Sequence, residues 1–194
     1  MALSHFASAA GFVVVPGKSL GSISLGMSED QVRAKLRDPA EFAKTPDGVL
    51  VEVWFGKAKL SGKGEDSFLR RNYLAIYYRD EKVIQIEATS KAYQTTTGLS
   101  TGTAVKSWAA QFSAHSDSNK VIPNLDPEGL PAAKHLLYYG DAITSGLAWK
   151  QGAWANLWPE PGPDAGLESI IVHMPGKKLI LNPLDERPYA GTPG

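Results

Sequence analysis

The chain has 194 residues, of which 43% are hydrophobic and 21% charged, so it can bury a core as one compact domain or two small ones. Twenty basic side chains balance twenty acidic ones, and this neutral composition argues against a general nucleic-acid binder. The absence of cysteine excludes disulfides, thiolate metal sites and cysteine nucleophiles.

Residues 1–16 are predicted to form an N-terminal tail and a short strand. The apolar run at residues 12–15 stops at Pro16, well short of the roughly 20 residues of a membrane span, so no transmembrane segment is expected. Residues 7–9 (Ala-Ser-Ala) match a signal-cleavage pattern, although the charged and apolar regions of a leader are missing.

A first structural unit is predicted over residues 17–95. Ser28 and Gln31 have the spacing of a capping box at the start of a helix, and Pro39 ends that helix. Runs rich in β-branched and aromatic residues then predict three strands, the last two joined by a hairpin turn, at residues 49–55, 74–78 and 83–88.

A second copy of this unit is predicted over residues 96–182. Gly102 repeats the helix opening at Gly26, and Trp108 then takes the place of Val32 on the buried helical face. Its strands are predicted at residues 135–139, 146–149 and 167–174, with a loop insertion at 115–131 and an extended or disordered tail at 183–194.

Together these elements predict an α+β fold of two tandem helix-plus-antiparallel-sheet repeats. In each repeat one face of the sheet is left for the helix to cover, and the two sheets can join into one continuous curved sheet.

Two segments carry a resemblance to known proteins: residues 25–32 (LGMSEDQV) and residues 78–86 (YRDEKVIQI). In tandem, such units resemble the β-lactamase inhibitor protein fold and the small outer-membrane assembly lipoproteins of the SmpA/OmlA type. The resemblance implies a protein-binding scaffold and an exported protein, periplasmic or secreted, whose leader is not present in this chain; a cytoplasmic location is the alternative. The chain lacks the inhibitors' disulfide cysteines and a lipobox cysteine, so neither β-lactamase inhibition nor membrane anchoring is carried over.

The four histidines do not have the spacing of a local metal site. His135 and His173 fall on predicted strands of one sheet, where a close pair would bind a metal or move protons, and they are the polar candidates for a cleft between the repeats. The alternative is two strand residues whose tips reach solvent or backbone carbonyls.

No nucleophile elbow, phosphate-binding loop or separated carboxylate pair is present. We therefore predict no catalytic residue, no metal and no cofactor, and expect a protein that is not an enzyme.

The aromatic residues are concentrated in the second copy, and rigid aromatics with a polar tip commonly anchor protein interfaces. The alternative is that they pack the core. The candidates for contact with a partner protein are Trp54, Tyr77, Tyr139, Trp149, Trp154 and Trp158.

The sequence thus favours a non-enzymatic module that binds another protein through an uncovered aromatic sheet face. The rival hypothesis is an enzyme or small-ligand-binding protein that uses His135 and His173 in a cleft between the repeats.

Overall fold

The computed structural model of the protein describes residues 12–57, 59–61, 68–70, 72–112, 116–123, 133–139, 146–154, 166–167, 169–177 and 179–180. Within these ranges the elements are, in chain order, β1 (Val14–Val15), β2 (Ser19–Leu20), β3 (Ile23–Ser24), α1 (Glu29–Leu36), β4 (Glu41–Lys44), β5 (Leu50–Phe55), β6 (Lys59–Ser61), β7 (Phe68–Arg70), β8 (Tyr73–Arg79), β9 (Lys82–Ala88), α2 (Val105–Phe112), β10 (Ser116–Pro123), β11 (Ala133–Tyr139), β12 (Leu147–Trp154) and β13 (Ser169–His173).

The main sheet is antiparallel and has the strand order β10-β11-β12-β13-β9-β8-β5-β4. Five of these strands, in the order β13-β9-β8-β5-β4, form its centre and one of its two ends. A separate antiparallel sheet consists of β1, β2 and β3, and β6 pairs with β7 alone. The turn between β8 and β9 places both Asp80 and Glu81 at positive φ, the backbone geometry of a tight hairpin whose twist matches its strands.

The prediction of two helix-plus-sheet repeats is wrong. The described chain is mostly antiparallel sheet, and its two helices have only eight residues each, about two turns. The sequence periodicity underestimated the sheet: β4 was not predicted, and β10 lies in the stretch that was predicted to be a loop insertion. Neither strand shows a long hydrophobic run, because β4 has only four residues and β10 begins with five polar ones.

Both faces of the central strands are buried, which follows from their sequences. β8 is buried at six consecutive positions, so its two alternating sets of side chains both enter a core. On one face, here called the helix face, Leu74, Ile76 and Tyr78 pack in a cluster with Val32 of α1 and Trp108 of α2.

On the other side, here called the opposite face, Tyr73, Ala75 and Tyr77 pack with Val51 and Val53 of β5. The expected uncovered aromatic face therefore does not occur on β8, because its side chains are buried on both sides.

Candidate functional site

Polar side chains are concentrated on the opposite face, where β9 and β13 lie side by side. Gln85 and Glu87 of β9 alternate with apolar residues, and Gln85 faces His173 of β13 in the strand register. All three side chains are at most 2% exposed, as is Ser169 at the start of β13. Buried polar groups need partners to offset their lost hydration, so their hydrogen bonds decide what this cluster can do.

The Glu87 carboxylate is held by two tyrosines of the neighbouring strand β8. The Tyr73 hydroxyl donates to Oε1 and the Tyr77 hydroxyl donates to Oε2, each at 2.8 Å. Tyr73 and Tyr77 are four residues apart on one strand and flank Ala75, which faces Glu87 directly. The small side chain of Ala75 leaves room for both rings to lean toward the carboxylate.

Gln85 fixes the chain segment that follows β13. Its Nε2 donates to the Ile180 carbonyl at 2.7 Å, and its Oε1 accepts from the Ile180 N–H at 3.0 Å. The oxygen and the nitrogen of the Gln85 side-chain amide are both hydrogen-bonded to Ile180. Gln85 therefore holds Ile180 against the apolar part of the opposite face.

Burial favours the neutral form of His173, and one of its ring nitrogens has no hydrogen-bond partner among the described residues. Its Nδ1 lies 2.9 Å from the Met174 carbonyl, which can only accept, so Nδ1 carries the proton and Nε2 holds a lone pair. Burial lowers the pKa of His173, and the bond to Met174 opposes this only in part. Within the part of the chain that the structure describes, neither His173 Nε2 nor the Ser169 hydroxyl has a hydrogen-bond partner.

The structure separates the two histidines predicted to form a pair. His135 on β11 faces Ala153 of β12, whereas the backbone N–H of His173 donates to the Gly146 carbonyl just before β12. Residues 146 and 153 are seven positions apart on an extended chain, which is roughly 23 Å. His173 therefore cannot share a site with His135.

The predicted aromatic residues do not form one surface. Tyr77 is fully buried on the opposite face, whereas Trp54 is half-buried and packs at the margin of the helix-face cluster. Tyr139 faces Trp149, which faces Ile170, and Trp154 faces Lys134. Trp158 lies outside the described residues.

The clearest anomaly on the described surface is Phe42 on β4. Its exposed fraction is 72%, against 47% for Phe12 and 37% for Phe55, so Phe42 is the most exposed large hydrophobic side chain of the described residues. β4 is the last strand of the main sheet, and no strand among the described residues pairs with its outer edge.

The hydrogen bonds around β4 define which of its groups point outward. The Thr45 N–H donates to the Val49 carbonyl at 2.9 Å, and the register then makes Ala43 and Glu41 bond to β5 in the same way. Alternate residues point away, so Phe42 and Lys44 direct their N–H and carbonyl groups to the outer edge.

The start of this edge is modified by a β-bulge. The Ala40 N–H donates at 2.9 Å to the Val53 carbonyl, although Val53 faces Glu41. Two residues of one strand then share a single partner, which turns Ala40 away from the outer edge. Pro46, in the turn after β4, has no N–H to offer. The usable edge is therefore confined to residues 42–44.

An ion pair between Glu52 and Arg33 lies beside β4 on the face of the sheet that carries Phe42. Phe42 faces Glu52 of β5, whose Oε1 accepts from Arg33 of α1 at 2.5 Å. Glu52 is buried, with an exposed fraction of 1%. Burial and the negative charge of Glu52 raise the pKa of Tyr78, which lies on the same face. The ion pair ties α1 to the sheet beside Phe42.

Sequence reasoning missed Glu87, Tyr73 and Phe42. Glu87 and Tyr73 lie on the predicted hairpin or directly beside it, and their two-residue alternation with apolar positions was the available signal. Phe42 gave no such signal, because β4 has only four residues.

The described residues contain neither a metal-binding cluster nor a helix that could cross a membrane. Among those residues, no group of three or more His, Cys, Asp or Glu side chains is placed to hold a metal ion. Neither of the two described helices is long and apolar enough to cross a membrane.

Comparison of the chain with family models, curated protein sequences and solved structures gave no match in any of the three.

Proposed function

We propose that this protein is a non-enzymatic protein-binding module that takes up an extended segment of a protein along the outer edge of β4. The observation that carries this proposal is the 72% exposed side chain of Phe42 on a strand whose outer edge has no partner among the described residues. Addition of a strand to a free sheet edge is a recurrent mode of peptide recognition.

The chemistry of the edge defines the segment it accepts. The backbone groups of Phe42 and Lys44 supply hydrogen bonds that are independent of the partner's sequence, so they contribute affinity. Phe42 supplies the sequence preference, because an apolar side chain, or the apolar stem of a long one, that faces it on the added strand is removed from water together with the ring. The supporting strand β5 is buried at three of its six residues and fixes the position of β4.

A peptide display experiment tests this proposal. The immobilised protein is used to select binders from a phage library of random 12-residue peptides, and the selected peptides are measured against variants. Lys44→Pro removes an outward N–H, and Lys44→Ala controls for loss of the charge. Phe42→Ala removes the exposed ring, and Phe55→Ala is its matched control on the neighbouring strand.

We expect the peptides to bind the wild type, Lys44→Ala and Phe55→Ala, and to lose roughly tenfold or more in affinity on Lys44→Pro and Phe42→Ala. Selected peptides that bind all variants equally, or no selected peptide at all, would exclude the β4 edge as a binding site.

A second candidate function is small-ligand binding on the opposite face. It is supported by two buried polar atoms that have no hydrogen-bond partner among the described residues, His173 Nε2 and Ser169 Oγ, since a ligand with a hydrogen-bond donor would satisfy either of them. A thermal-shift screen with His173→Phe as control tests it: a ligand must stabilise the wild type and not the variant.

We also propose that the protein is exported and that it is related to the β-lactamase inhibitor and outer-membrane assembly proteins. Both proposals are compatible with protein binding at β4.

A further inference from the structure

We propose that the strand that β4 accepts is β4 of a second copy of this chain, running antiparallel about a twofold axis at Ala43. This inference rests on the proposed function, since it names the occupant of the same edge. In the paired form, Phe42 of each copy faces Lys44 of the other, and Ala43 faces Ala43.

The register follows from the backbone groups. In an antiparallel pair, residues that exchange two hydrogen bonds must both point outward, and here those residues are Phe42 and Lys44. Pairing Phe42 with Lys44 of the second copy, and the reverse, satisfies every outward N–H and carbonyl of both strands.

The two neighbouring registers satisfy fewer groups. If Phe42 faced Phe42, Lys44 would face Ala40, whose N–H is already donated to the Val53 carbonyl in the bulge. If Lys44 faced Lys44, Phe42 would face Pro46, which has no N–H. Only the register centred on Ala43 leaves no outward group of residues 42–44 without a partner.

The side chains fit the same register. Phe42 is exposed, and the facing lysine can lay its apolar stem along the ring with its ammonium group near the ring face. On the other side of the strand the small Ala43 methyl groups meet at the axis, so the two backbones can approach without a clash.

The shortness of the edge favours a second copy over a longer partner strand. The bulge at Ala40 and Pro46 limit pairing to residues 42–44, and a partner limited in the same way matches this length. So short an interface predicts a weak, reversible dimer, of the kind formed by small contact areas.

Single cysteines test the register, because the chain has no cysteine of its own. Facing residues that exchange no hydrogen bonds have Cα atoms about 4.5 Å apart, within the roughly 4.4–6.8 Å that a disulfide spans. Ala43→Cys should therefore form a covalent dimer under mild oxidation, in samples that circular dichroism shows to be folded.

Phe42→Cys and Lys44→Cys are the matched controls. Each lies diagonal to its own copy across the axis, about 7–8 Å away, so neither should cross-link alone. An equal mixture of the two should cross-link, because residues 42 and 44 face each other. Sedimentation equilibrium of the wild type should show a concentration-dependent dimer, weakened roughly tenfold or more by Lys44→Pro.

Three outcomes overturn the inference. Equal cross-linking by all three single variants would exclude the register. A wild type that stays monomeric up to about 1 mM, with peptides still binding at β4, would exclude the second copy and leave the proposed function intact. A monomer that also binds no peptide would overturn both.

Discussion

At the scale of single residues, the cluster on the opposite face shows how a buried charge is accommodated. Glu87 is 2% exposed, and each of its oxygens accepts a tyrosine hydroxyl. Hydrogen bonds to a charged acceptor are stronger than neutral ones, and the aromatic rings that deliver them also contribute apolar contact. This arrangement lets a carboxylate occupy the interior between two central strands.

Replacing Glu87 by Gln should destabilise the protein by about 1–3 kcal/mol. The glutamine amide group donates where the carboxylate accepted, so one of the two tyrosine hydroxyls loses its acceptor. Urea denaturation measures the change, with Tyr73→Phe as a companion variant that removes one hydrogen bond to the same carboxylate and should cost about 1.5–3 kcal/mol. An unchanged free energy of unfolding in Glu87→Gln would contradict the role given to the two tyrosines.

His173 should make the stability depend on pH. Its pKa in the folded protein is lowered below the ordinary value of 6.5 by burial, so the unfolded chain binds a proton first as the pH falls. The contribution of neutral His173 is therefore present above pH 6.5 and is lost progressively below it.

The measurement is urea denaturation at several pH values from about 7.5 to 5, the range in which a histidine titrates. The free energy of unfolding of the wild type should fall more steeply than that of His173→Gln. Parallel curves would assign the pH dependence to other groups.

At the scale of elements, α1 shows why a helix of eight residues forms where it does. Ser28 Oγ accepts from the Gln31 N–H at 3.3 Å, and Gln31 Oε1 accepts from the Ser28 N–H at 2.9 Å. Both ends of this capping box satisfy N–H groups that the first turn leaves open. Val32 then anchors the helix in the core, and Arg33 joins it to Glu52.

Replacing Ser28 by Ala should lower the free energy of unfolding by about 1 kcal/mol, because the first turn loses the acceptor for the Gln31 N–H. Ser22→Ala is the matched control, since Ser22 is exposed in a turn and precedes the helix. Equal unfolding midpoints for the two variants would show that the cap contributes nothing to stability.

The same elements show what the sequence could and could not predict. The capping box of α1 was predicted from Ser28 and Gln31 and is confirmed, because capping depends on residues three apart. The β8–β9 hairpin was likewise predicted, since its strands are long and its turn is local. β4 and β10 were missed because β4 is short and β10 begins with polar residues, and because the strand conformation of both depends on pairing with other strands.

For the site residues, the sequence likewise predicted local features and missed those that depend on strand register and on the covering of a sheet face. His173 was singled out from the sequence, but its assumed neighbour His135 was not close, because their separation depends on the register across β12. Tyr77 was predicted to contact a partner, yet it is fully buried and bonded to Glu87. Pattern reasoning gives the alternation of a strand, and it gives no indication of whether the second face is covered.

At the scale of the whole molecule, one close contact joins the N-terminal sheet to the main sheet. The Gly146 carbonyl accepts from the Gly17 N–H at 2.9 Å and from the His173 N–H at 3.0 Å. A Cβ atom on Gly146 would lie 2.4 Å from the Gly17 Cα, and Gly146 also has a φ of +65°. Only glycine suits both the conformation and the space.

Gly146→Ala should therefore cost more than about 3 kcal/mol, because backbone of two sheets would have to separate. Gly176→Ala is a matched control: its φ is +76°, but nothing lies within 4 Å of the added Cβ. That control should cost only about 1–2 kcal/mol, the strain of the left-handed conformation. Similar losses in both variants would show that the contact between Gly146 and Gly17 is unimportant.

The pairing of β9 with β13 has a consequence for synthesis on the ribosome. Ala88 of β9 faces Ile170 of β13 in the finished sheet. β9 is therefore synthesised about 80 residues before β13, its neighbour on that side. At typical elongation rates this delay lasts roughly 4–16 s, far longer than a hairpin needs to form. During that time β9 is paired with β8 alone, and its other edge is exposed on the nascent chain. The nascent chain should therefore bind chaperones more readily before β13 is synthesised than the completed protein does.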